Sequence, residues 1–332
     1  LVVQGNLFSS NMPAPESNMK RLLIIGGSDA GISAALRARE LRPDVDVRVV
    51  VADRYPNYSI CGIPYYLSGE VESADNLAHR NAADIESAGI QLLLDHTAEQ
   101  VDAGKQSVIV SDTTQRQTIL QYDRLIIGTG AVSVCPDIPG LDLPGVFTLR
   151  WMDDTFAIEE YLKDREPRSV TLIGGGYIGM EMAEALSRRG LSVTVVEYAD
   201  SVLTTVDPDL GARVKAELTR HGVRVVNGVG VQAIEAGSNG QLHIMGSNDF
   251  THTSDMVLVV VGARPMTDLA ASAGVSTGLR SAIKVNRRME TDVTNIFAAG
   301  DCVETWHRLL NTYTYLPVSY THLTLPTMII RC

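Results

Sequence analysis

Cysteine is scarce. Four thiols, Cys61, Cys135, Cys302 and Cys332, lie at irregular spacing in 332 residues, which excludes a disulfide framework and suits a reducing compartment such as the cytoplasm. Cations are outnumbered, 28 Lys and Arg against 39 Asp and Glu. The resulting net charge of -11 argues against a nucleic-acid or anionic-membrane surface. No apolar run reaches transmembrane length, and no basic segment followed by an apolar one opens the chain, so neither a membrane anchor nor an export signal is expected.

What the chain has is core material and glycine in set places. At 45% hydrophobic residues it can bury two or three domains. Residues 21–26 (RLLIIG) are a continuous apolar run, as in a parallel strand buried on both faces. Gly26-Gly27-Ser28-Asp29-Ala30-Gly31 follows, then a helical stretch over 32–39. The template is Gly-x-Gly-x-x-Gly, a tight turn that brings backbone N–H groups to a pyrophosphate at a helix N-terminus; Ser28 replaces its middle glycine. A second strand, 45–51, ends near Asp53, about where an acid binds a ribose hydroxyl.

The same plan recurs. A strand over 169–173 runs into Gly174-Gly175-Gly176-Tyr177-Ile178-Gly179, then a helix over 180–188 and a strand over 192–196 that delivers Glu197. All three template glycines are present here. A carboxylate at that strand end accepts from both ribose hydroxyls and repels a 2′-phosphate, so NADH is favoured over NADPH. The fold class expected is α/β, with two Rossmann-like dinucleotide-binding domains.

Three further strand ends present small residues to a ligand. Residues 122–127 lead into Gly128-Thr129-Gly130, residues 255–261 into Gly262, and residues 296–299 into Gly300-Asp301. Asp301 is placed either to accept from polyol hydroxyls or to cap a helix. The Pro- and Gly-rich stretch 135–145 marks the crossing between domains. A helix is expected over 82–87, and 90–94 and 107–110 are expected as strands of an excursion from the main sheet. An amphipathic helix is expected over 210–221 and a strand over 223–226. His79 and His96 read as surface or capping residues.

The chemistry-bearing stretch is Tyr58-Ser59-Ile60-Cys61-Gly62-Ile63-Pro64-Tyr65-Tyr66. A cysteine at the start of a short helix has its reactive thiolate favoured by unpaired N–H groups. No second cysteine is near enough for a dithiol. A thiol working alone cycles through a mixed disulfide or a sulfenic acid with an external partner. The alternative is a packing residue. The ends break the pattern: residues 1–18 are expected to be a non-native leader ahead of Met19. Residues 318–332, opening VSYTHLTLPT, resemble the translation of a sequencing-library adapter and are expected to be artefactual.

From about residue 20 to 317 this order of motifs resembles the pyridine nucleotide-disulfide oxidoreductase family of flavoproteins. Within it, the chain resembles the single-cysteine branch of coenzyme A-disulfide reductases, NADH oxidases and NADH peroxidases. The resemblance implies that Gly26, Gly27, Ser28, Asp29, Ala30, Gly31 and Asp53 hold FAD. Thr129 and Gly130 would close over it, with Gly300 and Asp301 at the ribityl chain. It implies that Gly174, Gly176, Tyr177, Ile178, Gly179, Glu197 and Gly262 hold NADH, with Glu181 near the nicotinamide. The domains implied are FAD-binding over 19–147 and 281–317, with an inserted NAD(P)H-binding domain over 148–280. The resemblance further implies a C-terminal dimerisation domain that is expected to be missing here, and a natural full-length protein that would be a homodimer.

Electrons would pass from NADH through FAD to Cys61. The acceptor would be small: a coenzyme A disulfide or persulfide, peroxide or oxygen. The alternative is a reductase of a ferredoxin- or rubredoxin-like protein, with Cys61 structural. Two departures bear on the site: Ser28 and Asp29 replace small apolar residues in the first turn, and Asn57 stands where a serine precedes the thiol by four residues.

Overall fold

The computed structural model describes residues 19–316; the expected leader, 1–18, and the expected tail, 318–332, lie outside the described residues. The chain runs β1 (Arg21–Ile25), α1 (Asp29–Leu41), β2 (Asp46–Val50), α2 (Ile63–Ser68), α3 (Ala82–Ser87), β3 (Ile90–Leu93), β4 (His96–Asp102), β5 (Ser107–Asp112), β6 (Gln117–Gln121), β7 (Arg124–Ile127), β8 (Ala131–Ser133) and β9 (Val146–Thr148). It continues through α4 (Met152–Arg165), β10 (Ser169–Ile173), α5 (Tyr177–Arg188), β11 (Ser192–Glu197), α6 (Pro208–Arg220), β12 (Arg224–Asn227), β13 (Val231–Ala236), β14 (Leu242–Gly246) and β15 (Thr251–Ser254). The last elements are β16 (Met256–Val259), β17 (Ala263–Pro265), α7 (Asp268–Ser272), β18 (Ile296–Ala298), β19 (Thr305–His307) and β20 (Thr312–Thr314).

Two parallel five-stranded sheets carry the molecule, in the orders β18-β7-β1-β2-β3 and β12-β11-β10-β16-β9. Their central strands are apolar along almost their whole length because helices and loops cover both faces: Leu22 to Ile25 and Val170 to Ile173 are all buried. β18 comes from late in the chain yet pairs in parallel with β7, Phe297 opposite Ile126, so the second sheet is built between two visits to the first. The return comes earlier than residue 281: Leu269, Ala270 and Val275 already pack in the first core. β8 and β17 pair antiparallel, Val132 opposite Arg264, so the outgoing and returning chains run side by side.

One expected placement is corrected. β3 is no excursion from the main sheet but its edge strand, Ile90 pairing in parallel with Val47. A four-residue apolar run fits either place, and the burial of Ile90 against the first core decides it. The excursion is the antiparallel sheet β4-β5-β6, and a second such sheet, β13-β14-β15, caps the other unit. His96 starts β4, half-buried, with Nδ1 2.6 Å from Leu94 O.

The units meet through the thiol segment. Ile63, Leu67 and Leu77 are buried in one core with Met182, Ala183 and Leu186 of α5 and Met152 and Ile158 of α4. Leu67 is fully buried there, which stabilises the contact by about 2 kcal/mol. Polar bonds fasten the edge: Arg189 Nη1 donates to Leu67 O at 3.2 Å and pairs with Glu159 at 3.0 Å, and Arg188 pairs with Glu70. Among the described residues no helix is long and apolar enough to cross a membrane.

Candidate functional site

Both glycine-rich turns are built by close backbone approach. Gly26 has φ +119, and a Cβ on Gly31 would lie 2.0 Å from Gly26 O, so α1 can start this near β1 only without a side chain. The second turn repeats the contact, a Cβ on Gly179 falling 2.2 Å from Gly174 O. Neither helix is capped by a side chain at its N-cap, Ser28 for α1 and Gly176 for α5. The first-turn N–H groups of two long helices are thus left without a side-chain cap, which is what a diphosphate requires; an acid, Asp29, stands in the first turn of α1 and none in that of α5.

The first-unit residues named from the sequence converge at the C-terminal ends of β1, β2, β7 and β18. Asp53 Oδ1 accepts from Tyr55 N at 2.9 Å, and burial pushes its carboxyl up. Asp301 Oδ1 is buried with no donor among the described residues. Burial, with Asp29 nearby, pushes the Asp301 carboxyl up to about 6. An orphaned, buried carboxylate oxygen at this strand end fits a hydroxyl-rich ligand such as the FAD ribityl chain.

Arg150 belongs to this site and no sequence signal marks it. It lies past the end of β9, its Nη2 is 2.6 Å from Met266 Sδ, and its guanidinium sits 3.7 Å from the Trp151 ring centroid. Met266 is fixed on the expected closing turn, its N donating to Gly130 O at 2.9 Å and its O accepting from Thr129 Oγ1 at 2.5 Å. The same guanidinium interacts electrostatically with Asp53. Met266 thus links it to the turn after β7 and Asp53 to the end of β2, the two strands that flank β1. Burial lowers its pKa to about 10 against the opposing pull of Asp154, and its close contacts are a sulfur and a ring. Arg150→Met is expected to weaken FAD retention by about tenfold or more, the worth of one charge-assisted bond, in a fluorescence assay of released flavin. Retention equal to wild type would remove Arg150 from the site.

In the second unit Glu197 is oriented by its own turn, accepting from Gly175 N and, at 2.8 Å, from Ala199 N. Tyr177 is 59% exposed and Ile178 39%, an apolar patch at the turn mouth that a nucleotide would cover. Gly176 and Gly262 have open space where a Cβ would stand. Glu181 reaches the surface, yet desolvation pushes its carboxyl up.

Cys61 is exposed on a single 3-10 turn, Ile60–Gly62, ahead of α2 rather than inside it. Tyr58 is turned towards α4, in an edge stack with Tyr55 at 5.5 Å that continues to Phe156 at 5.4 Å, and so serves packing. Tyr65 is exposed and Tyr66 half-buried. Cys302 is fully buried and its thiol is pushed up to about 11, so it keeps its proton; Cys135 is exposed. Among the described residues no cluster of three or more His, Cys, Asp or Glu is set to hold a metal.

This arrangement has known counterparts. An NADH oxidase of Methanocaldococcus jannaschii is 35% identical over 86% of this chain and 63% of its own. A CoA-dependent NAD(P)H sulfur oxidoreductase of Pyrococcus furiosus is 34% identical over 90% of this chain and 67% of its own. The solved NAD-dependent persulfide reductase of A. fulgidus superposes with a TM-score of 0.89 at 31% identity, covering 93% of this chain and 58% of that one. The chain thus spans about two thirds of these proteins or less. The family profile described as pyridine nucleotide-disulphide oxidoreductase matches residues 20–315. With two uncapped dinucleotide turns on parallel sheets and an exposed cysteine between them, the chain belongs to that family, whose cofactors are FAD and NADH.

Proposed function

We propose that the natural protein is an FAD-dependent NADH oxidoreductase that passes an electron pair through Cys61 to a small disulfide, persulfide, peroxide or oxygen acceptor. The observation that carries this reading is the exposed thiol on a turn tied to both dinucleotide units. Residues 26–31, Asp53, Thr129, Gly130, Arg150, Gly300 and Asp301 hold FAD; Gly174, Gly176, Tyr177, Ile178, Gly179, Glu181, Glu197 and Gly262 hold NADH. When bound, FAD supplies the ring that accepts hydride from NADH and returns electrons in pairs.

The rest is done by the chain. The Cys61 thiolate attacks one sulfur of a disulfide, forms a mixed disulfide and releases the other sulfur as a thiolate. The electron pair from NADH then cleaves the mixed disulfide, restoring Cys61, and a proton leaves the second product a thiol. With hydrogen peroxide the thiolate takes one oxygen, giving a sulfenic acid and hydroxide; the same electron pair and a proton return thiolate and water. Glu197, held by two backbone donors, favours NADH by repelling a 2′-phosphate. The full-length protein works as a homodimer in this reading.

The test is an anaerobic NADH titration of the FAD-loaded protein, its Cys61 first converted to a mixed disulfide with coenzyme A disulfide and the excess removed, beside Cys61→Ser treated in the same way. The wild type is expected to consume twice the NADH per flavin that the variant does, and to develop the long-wavelength absorbance of a thiolate against oxidised flavin. Identical titrations would make Cys61 structural and return the reading to a protein electron acceptor.

A further inference from the structure

Asn57 is buried, 3% exposed, and holds a left-handed backbone at φ 59. Asparagine tolerates that region better than most residues, but glycine tolerates it best, so the conformation alone does not call for an amide. The amide has a bond to make. Its Nδ2 donates to Asp29 Oδ1 at 2.9 Å, across 28 residues of chain, at the start of α1. A carboxylate oxygen accepts, so the amide must turn its nitrogen to Asp29. Its other end, Oδ1, is thereby left buried with no donor among the described residues. A side chain kept with one end unsatisfied is kept for the bond at the other.

The backbone of Asn57 is stitched on two sides. Its N donates to Gly27 O at 2.7 Å, in the first glycine-rich turn, and its O accepts from His79 N at 2.9 Å. Tyr58 bridges Ala78, and Ser59 N donates to Leu77 O at 2.7 Å. Gly62 N then closes a turn onto Ser59 O at 2.9 Å, with Cys61 inside it, and Ile63 enters the second core. Cys61 thus hangs between two anchors in different units. Downstream is the packing of α2; upstream is the grip of Asn57 on the first turn.

We propose that Asn57 is a positioning residue for Cys61, acting through its bond to Asp29 as a clasp between the thiol segment and the first dinucleotide turn. The inference rests on the functional reading above and goes beyond it. Without the clasp the backbone bond from Asn57 N to Gly27 O would be left to tie the thiol segment to the first turn, and the setting of the thiol relative to that turn would loosen.

The test compares wild type with Asn57→Gly, which keeps the backbone conformation and deletes the amide, and with Asp29→Asn, Asp29→Ala and the double variant Asp29→Ala/Asn57→Gly. Iodoacetamide labelling of Cys61 is followed peptide by peptide across pH, with exposed Cys135 as internal reference, in the FAD-loaded and FAD-free protein. The long-wavelength absorbance is recorded on the loaded form. Asn57→Gly is expected to slow Cys61 labelling at neutral pH on the order of threefold, the low end of the coupling between residues in contact, and to diminish the absorbance band. Asp29→Asn keeps an oxygen acceptor and should label about threefold faster than Asp29→Ala. The double variant should be no worse than either single deletion, because both remove one contact.

Profiles of Asn57→Gly and Asp29→Ala that overlay wild type, or effects that add in the double variant, would overturn the clasp. Should Asn57→Gly fail to fold, the Asp29 pair decides alone. A wild type that takes up no FAD would sink the functional reading, while labelling of the FAD-free chain would still decide the clasp.

Discussion

Gly31→Ala is expected to abolish FAD binding while NADH binding persists, and Gly179→Ala to do the reverse. The added methyl at residue 31 would stand 2.0 Å from Gly26 O and 3.2 Å from the Ile24 side chain. The oxygen belongs to the turn itself and cannot rotate away as a side-chain tip would. α1 must therefore withdraw from the end of β1, or the turn must open. Either move costs about 3 kcal/mol or more, at the upper end for overpacked sites, and misaligns the N–H groups offered to the pyrophosphate. A loss of that size corresponds to more than about a hundredfold in affinity. At residue 179 the methyl would stand 2.2 Å from Gly174 O, with the same consequence for the second turn. Flavin content after reconstitution and NADH binding by calorimetry read the two losses separately. If both variants lost the same ligand, the assignment of one dinucleotide to each turn would be wrong.

In the FAD-free protein, Asp301→Asn should raise stability, by an amount that depends on pH. Burial and the neighbouring Asp29 raise the Asp301 carboxyl from 3.8 to about 6 in the fold. A raised folded-state value means that the protonated acid is the form the fold accommodates. The favourable contribution is then complete below about pH 4 and is lost as pH rises through about 6. Each factor of ten in proton affinity is ~1.4 kcal/mol, so the whole change is about 3 kcal/mol. Urea unfolding of the two proteins from pH 4 to 8 should give midpoints that coincide at the acid end and separate in favour of the variant above pH 6. Parallel curves across the range would show that Asp301 reaches solvent or a partner when the site is empty of FAD.

The parts of this architecture that sequence made visible share one property: a local rule sufficed. Strands buried on both faces read as unbroken apolar runs, so β1, β7, β10 and β16 were placed within a residue or two. Both glycine-rich turns follow from backbone sterics at fixed spacing. The misplaced or missed parts depend on contacts distant in sequence. β3 is too short for its partner to be inferred, and the polar strands β6 and β13 earn their places by pairing alone. Arg150 acquires its role only because β2 and β7 flank β1. Ser28 and Asp29 stood out as odd residues in the first turn, and Asn57 as an odd residue before the thiol. That two of these three touch, Asp29 and Asn57, is a fact of three dimensions.

The packing of α2 onto α5 limits how the protein can be recombined. A graft that exchanged residues 146–265 for the nucleotide-binding half of a relative would keep Cys61 but remove Met182, Ala183 and Leu186, on which Ile63 and Leu67 rest. The cut points in sequence would be clean, and the chimera would still carry a thiol set on a surface made for another chain. A working exchange must move residues 55–77 with the inserted half, so the heritable module is discontinuous although the sheet it accompanies is not.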